Sequence, residues 1–428
     1  MTGTHVYPVD SEQLRRDIEV NGQFGMVDTD EGISRTVLPG TEPNRLAREY
    51  LVDRMINVGL SVDVDAVGNI VGRWAPESCD PDAAPVAAGS HLDSVPFGGI
   101  FDGPLGVYAA LNAVSALQDA DVGVERPIEV VSFTGEEGTR FADGLLGSSV
   151  ATGSLGVDEA LALSDEGETL REVLSEIGFH GEGRLDASGW HAWLELHVEQ
   201  GETLDRLGVP AGVVTTIAGT TRQRVTIEGA ADHTGTTSMG DRTDALAAAS
   251  ELVLALERAA NASVAEGTDT TVATVGELNV EPGAINVVPG RVDLSTDLRD
   301  VTTPSLDRLA DCVRTTLAEL EADRGVETSV ECTYDVPPTD MAPVCRDALH
   351  SAGRAIGVET VDIHSGAGHD TMRVADVTDS GLLFAPSRGG YSHCGSEWTS
   401  WHACAATTEL LTSALADLAG ASDRPARS

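Results

Sequence analysis

Apolar residues recur at helical spacing through EPNRLAREYLVDRMINVG (42–59), with Pro43 suited to a first turn and Gly59 to a stop. Strand-like runs follow in SVDVDAVGNIVGRW (61–74) and PVAAGS (85–90), then a helix over about 104–119 and the apolar strand IEVVSF (128–133). Alternating strands and helices predict an α/β fold, a mainly parallel sheet flanked by helices, with its sites at the carboxyl ends of strands.

From about residue 210 the texture changes. GVVTTIAGTTRQRVTIEGA (212–230) holds two β-rich runs, an alanine-rich helix covers about 243–260, and ATVGELNV and GRVDLSTDLRD supply two more strands before a helix at 304–322. The spacing predicts an inserted α+β domain over 210–332, dividing a first domain into 1–209 and 333–428. There is no internal repeat or low-complexity segment, and the tail GASDRPARS reads as frayed.

Charge narrows the partners. Asp and Glu number 69 against 27 Lys and Arg, a net of -42, and every one of the 27 cations is an arginine. Such a surface repels phosphate backbones and anionic lipid, which argues against nucleic-acid or membrane partners. The acid is spread along the chain and suits a halophilic, high-salt setting where screening removes self-repulsion. No run approaches the roughly 18 apolar residues of a membrane helix, and MTGTHVYPVD has no signal-peptide pattern, so a cytoplasmic location is expected. The six cysteines form no C-x-x-C pair and are expected to be reduced and buried, with Cys394 a bystander beside His393.

The candidate chemistry lies after the strands. GSHLDSVPFGGIFDGPLG (89–106) sets His91, Asp93 and Asp102 on a glycine-rich segment, and TGEEGTRF sets Glu136 and Glu137 just past IEVVSF. Neighbouring side chains on extended backbone point apart, so the two glutamates suit different tasks: one holds metal and the other, with Glu136 the candidate, moves protons. HAWLELHVEQG (191–201) alternates apolar residues toward His197, and LLFAPSRGGYSHCGSEW (382–398) runs into a turn with His393 and Glu397. Each segment alone also reads as a strand ending in solvated polar residues. Converging at one sheet edge, they would build a dinuclear site, and imidazole with carboxylate suits Zn²⁺, Mn²⁺ or Co²⁺.

These motifs, with ADHTGTTSM and GAINVVPG, occur in the order found in the hydantoinase/carbamoylase family of dinuclear metal amidohydrolases, which the chain resembles over nearly its whole length. The resemblance implies His91, Asp102 and His197 on one metal, with Asp102 bridging to a second held by Glu137 and His393. It implies Glu136 as general base, Asp93 as the carboxylate orienting His91, and Gln200 beside the carbamoyl group. Asn286 and Arg299 match the family's clamp for the substrate carboxylate, with Gly389 and Gly390 adding backbone N–H groups. The inserted domain would be a dimerisation lid in a homodimer, with His233 reaching the partner's site to stabilise an oxyanion. Ser238, Pro104, Cys394 and Gly395 depart from the family pattern and bear on lid geometry and substrate preference.

The function implied is hydrolysis of an N-carbamoyl-L-amino acid to amino acid, carbon dioxide and ammonia. Allantoate or N-carbamoyl-β-alanine are alternative ureido-carboxylate substrates for the same residues, and an aminopeptidase or N-acyl-amino-acid deacylase is disfavoured by HVEQG and HTGTTSM. A decayed, non-catalytic scaffold would need a lost ligand or base, and all six positions are occupied.

Overall fold

The computed structural model describes residues 7–29, 32–265, 267 and 269–421. The expected frayed tail beyond 421, and the first six residues of the stretch searched for a signal peptide, lie outside the described residues. The described residues form two compact units, one within 7–215, 341–363 and 369–421, the other within 216–340 and 364–368.

Four parallel strands form the heart of the first unit: Ile128–Phe133, Val86–His91, Ala192–Val198 and Ser380–Ala385, adjacent in that order. Antiparallel strands flank them, Ile70–Trp74 on Ile128–Phe133 and Ala211–Ile217 on Ser380–Ala385. Every residue of the four central strands is buried. Sequence reading expected alternation in HAWLELHV; a parallel strand covered on both faces has no solvent face, so its polar positions turn inward instead. The helices Pro104–Asp119 and Trp401–Leu418 pack on the sheet and on each other, and Glu42–Val58 ends on Gly59 in the left-handed conformation, as its sequence signals predict.

The second unit is a four-stranded antiparallel sheet ordered Val272–Glu281, Arg291–Asp300, Gly219–Glu228, Glu327–Val336. Buried and half-buried residues alternate strictly along Arg291–Asp300. The apolar members of the buried set, Val292, Leu294 and Leu298, pack with Leu252 and Leu256 of helix Ala245–Ala265 and with Leu309, Val313 and Leu317 of helix Thr303–Arg324.

The domain boundaries differ from those expected. The run at 211–217 pairs with Ser380–Ala385 in the first unit's sheet, through Gly212↔Phe384 and Val213↔Leu383. A cut at 332/333 would split Glu327–Val336, which pairs with Gly219–Glu228 from Thr220↔Val336 to Glu228↔Glu327. The return therefore falls at 340/341. The cysteines are all unpaired, but only Cys345 and Cys404 are buried, and Cys332 is exposed on an edge strand. Among the described residues no helix is long and apolar enough to cross a membrane.

Candidate active site

The central strands deliver their polar residues to one edge of the sheet. The Val86–His91 strand ends on His91, whose Nδ1 lies 3.1 Å from the Asp93 carbonyl oxygen, and His197 Nδ1 lies 3.0 Å from the Val198 carbonyl oxygen. A carbonyl accepts only, so each Nδ1 carries a proton and the neutral ring presents the Nε2 lone pair. Both Nε2 atoms face the same oxygen: Asp102 Oδ1 is 3.2 Å from His197 and 3.6 Å from His91. Asp102 sits where the chain doubles back into helix Pro104–Asp119. The turn requires Gly103, at φ +81°, because a Cβ there would lie 2.5 Å from His91 Cε1.

The other Asp102 oxygen serves a second group. Oδ2 is 3.4 Å from His393 Nε2, which is also 3.4 Å from Glu137 Oε2. Among the described residues, His91, Asp102 and His197 form one set of ligand-type atoms within 4.8 Å of one another, and Asp102, Glu137 and His393 form another. Glu136 belongs to neither, and its Oε2 stands 3.7 Å from His91 Nε2.

The electrostatics are those of a site built for cations. Burial alone would raise Asp102, but His197, His393 and His91 hold its carboxyl well below the usual range. Burial opposes charge on His197, yet Asp102 outweighs it and the imidazole is pushed up to about 9; the hydrogen bond to Asp102 does the same to His393. Burial, then Asp102, pushes Glu137 up to about 8, and burial with Glu137 raises Glu136 well above a normal glutamate. His91 Nε2 is buried without a hydrogen-bond partner. An orphaned imidazole lone pair facing a carboxylate, with a shared aspartate between two His and carboxylate sets, fits divalent metal ions of the Zn²⁺, Mn²⁺ or Co²⁺ class.

Several predicted residues stand differently from expectation. The contact of Asp93 with His91 runs through its carbonyl, while its carboxylate, 3.8 Å from Nδ1, accepts from the backbone N–H groups of Glu136 and Glu137 at 3.3 and 3.2 Å. Asp93 thus orients the glutamate pair as well as the histidine, because a carboxylate is the natural acceptor for two successive amides. Gln200, at φ +59°, donates from Nε2 to Asp102 Oδ2 at 2.8 Å and leaves a buried Oε1 without a partner. The N–H groups of Gly389 and Gly390 are already engaged, with Asp205 Oδ2 and the Ser387 carbonyl, both at 3.0 Å, so neither offers a ready donor to a substrate.

The remaining three lie in the second unit. His233 Nδ1 accepts from Gly235 N–H at 3.1 Å, which leaves the neutral ring's proton on Nε2 as a donor. Its strand pairs with Val287–Val288, and the Asn286 carbonyl accepts from Thr234 N–H. Arg299 is gripped by Asp297 through Nε at 2.7 Å and Nη2 at 3.2 Å, with Nη1 on the Gly366 carbonyl.

Sequence reasoning missed several supports. Arg35 is fully buried and donates to the Gly99 and Leu92 carbonyls and to Asn21 Oδ1 at 2.8–3.1 Å. Longer contacts of 3.4 Å reach the Asp93 and Asp102 carbonyls. His369 stacks edge-on against His197, with ring centroids 4.6 Å apart, and burial keeps it neutral. Buried Glu195 accepts from Ser90 and Thr371 beneath the site. Ser392 and Glu397 bridge to Asp102. Glu397 was read beside His393 on the same turn, but the sequence assigned it no role.

The profile of peptidase family M20/M25/M40 matches residues 87–417. An N-carbamoyl-L-amino-acid amidohydrolase of Paenarthrobacter aurescens is 38% identical over 407 residues, spanning 94% of this chain and 96% of that protein. An allantoate deiminase of Arabidopsis thaliana is 34% identical, over 80% of this chain and 71% of its own length. A crystal structure of a hydantoinase/carbamoylase family amidase from Burkholderia multivorans superposes with a TM-score of 0.89 at 34% identity, covering 96% and 98% of the two chains.

Proposed function

Since the chain belongs to the hydantoinase/carbamoylase amidases of peptidase family M20/M25/M40, and is therefore a hydrolytic amidase, we propose that it hydrolyses N-carbamoyl-L-amino acids. The observation that carries this reading is the shared aspartate: Asp102 turns one oxygen to His91 and His197 and the other to His393, beside Glu137, with Glu136 next to the pair. His91, Asp102 and His197 would hold one divalent ion, and Asp102, Glu137 and His393 a second. Ions there would act as Lewis acids toward the ureido carbonyl and the attacking water. Glu136 takes the proton as water adds to the ureido carbon and returns it to the departing amine nitrogen, leaving a carbamic acid that falls to carbon dioxide and ammonia. Gln200 Oε1, buried without a partner, suits acceptance of a carbamoyl N–H. By the family resemblance, Arg299, whose planar guanidinium is fixed in direction by Asp297, would pair with the substrate carboxylate, and His233 Nε2–H would supply the oxyanion donor in a homodimer.

The test is release of ammonia and amine by metal-loaded protein in high KCl, across N-carbamoyl-L-α-amino acids, N-carbamoyl-β-alanine, allantoate and an N-alkylurea lacking the carboxylate. Turnover of the first class, and loss of it with the alkylurea, is expected. Turnover of allantoate alone would transfer the reading to the chemistry named for the Arabidopsis relative, and equal rates with the alkylurea would remove Arg299 from substrate binding.

Metal uptake itself has an expected pH dependence. In the metal-free protein His197 and His393 are raised to about 9 and Glu137 to about 8, so all three carry protons at pH 7 and lose them above their pKa values. A ligand must be unprotonated, so apparent affinity rises with pH through 7–9 and binding expels protons. Titration calorimetry in two buffers of different ionisation enthalpy should give different heats; identical heats would contradict the assignment of these ligands.

A further inference from the structure

We propose that Glu397 is a positioning residue that fixes the second oxygen of Asp102 relative to His393, and so sets the affinity of the second of two metal positions. The inference rests on the reading of Asp102 as a shared ligand and goes beyond it, because Glu397 belongs to neither ligand set.

The geometry is a strap between two loops. Glu397 is buried, and its Oε1 accepts from the backbone N–H groups of Phe101 and Asp102 at 2.9 and 3.1 Å. Its Oε2 meets Ser392 Oγ at 2.9 Å, and the same Oγ stands 2.8 Å from Asp102 Oδ2. Glu397 therefore holds the Asp102 backbone directly, while Ser392 Oγ sits between the two carboxylates and shares its single proton between Glu397 Oε2 and Asp102 Oδ2. It is also tied to the turn bearing His393, since its own N–H donates to the Cys394 carbonyl at 3.1 Å. The two loops are almost 300 residues apart in sequence, with an |i−j| of 295 between Asp102 and Glu397, and no strand pairing joins them. Close approach is built in at Gly99, where a Cβ would lie 2.1 Å from Glu397 Oε1.

This support is one-sided. Asp102 Oδ1, which faces His91 and His197, belongs to a set whose histidines end or lie within paired strands and whose Nδ1 atoms are held by backbone carbonyls. Oδ2, by contrast, faces His393, which is half-exposed on a turn at φ +56°. Loosening the strap should therefore spare the first ion and weaken the second. Partners of this kind typically change metal affinity by about 10–100-fold.

The experiment is stepwise metal titration of full-length metal-free protein with Zn²⁺ and with Mn²⁺, followed by calorimetry and by metal content after desalting. E397A should weaken the second equivalent by about 10–100-fold and leave the first within about threefold of wild type. S392A, which removes the hydroxyl between Glu397 and Oδ2 but leaves the backbone contacts of Glu397 with Phe101 and Asp102, should act in the same direction and more weakly. E397Q should stay near wild type, because its amide oxygen still accepts from Phe101 and Asp102 while its NH₂ donates to Ser392, freeing the hydroxyl proton for Asp102. Wild-type affinity at both equivalents in E397A, or equal loss at both, would overturn the positioning role. A wild-type protein that takes up a single equivalent would instead overturn the two-ion reading on which the proposal rests.

Discussion

Glu136→Gln should lower kcat by about 10²–10⁴-fold, the usual contribution of a general base, while the protein keeps its metal. The amide is the same size as the carboxylate and cannot take a proton from water. Metal retention is expected because Glu136 belongs to neither ligand set; its Oε2 stands 3.7 Å from His91 Nε2. Burial, Glu137, Asp370 and Asp102 all oppose charge on Glu136, and the glutamine that replaces it is neutral. Steady-state rates with metal content measured on the same sample make the check; full activity, or loss of metal in step with activity, would take the base role from Glu136. The variant also tests the partner-crossing role of His233. If the proposed homodimer holds, E136Q and H233A should each be strongly impaired, but a mixture of the two should regain activity, since a hybrid dimer holds one site with both groups intact. A mixture that stays inactive after subunit exchange would place His233 in its own subunit's site or outside catalysis.

The parts of the site that could be read in advance share one property: the residue type announces the chemistry. His91, His197 and His393 are three of only 11 histidines; the first two close apolar strands and the third sits on the glycine-rich turn after one, so placement and ligand chemistry pointed the same way. The structure brings them to one sheet edge around Asp102 because the central strands are parallel and their carboxyl ends coincide. Roles set by backbone direction could not be read. The amides of Gly389 and Gly390 looked available, yet fold onto Asp205 and Ser387, and Asp93 turns its carboxylate to the amides of Glu136 and Glu137. The boundary near 210 was misplaced for a related reason: the 211–217 run would suit either sheet, and only its partner at Ser380–Ala385 decides. Arg35 was invisible, because an arginine within GISRTV reads as an exposed strand position until the loops that bury it are known.

That arginine yields the largest expected effect on stability: Arg35→Met should cost about 3–5 kcal/mol, the range for removing one member of a buried charge arrangement. The guanidinium is fully buried and braces the loop between His91 and Asp102 at two points, taking the Leu92 carbonyl near its start and the Gly99 carbonyl near its end, and it also donates to Asn21 Oδ1. Methionine fills similar volume and leaves these acceptors dry, each a desolvated polar group without a donor. It also removes the cation that faces Glu397, Asp102, Glu137 and Asp93; burial lowers the pKa of Arg35, and those four acids oppose the drop. Arg35→Lys keeps the charge but lacks the planar fork that reaches several carbonyls at once, so it should recover only part of the loss. Salt separates this effect from the acidity of the surface. The net charge of -42 is a screened, long-range burden that KCl relieves, whereas a buried contact lies beyond the reach of counterions. Urea midpoints for parent and variant should therefore rise together as KCl is added and remain separated by the same gap. A gap that closes in high salt would make Arg35 one more term in the surface balance and would remove it as the brace beneath Asp102.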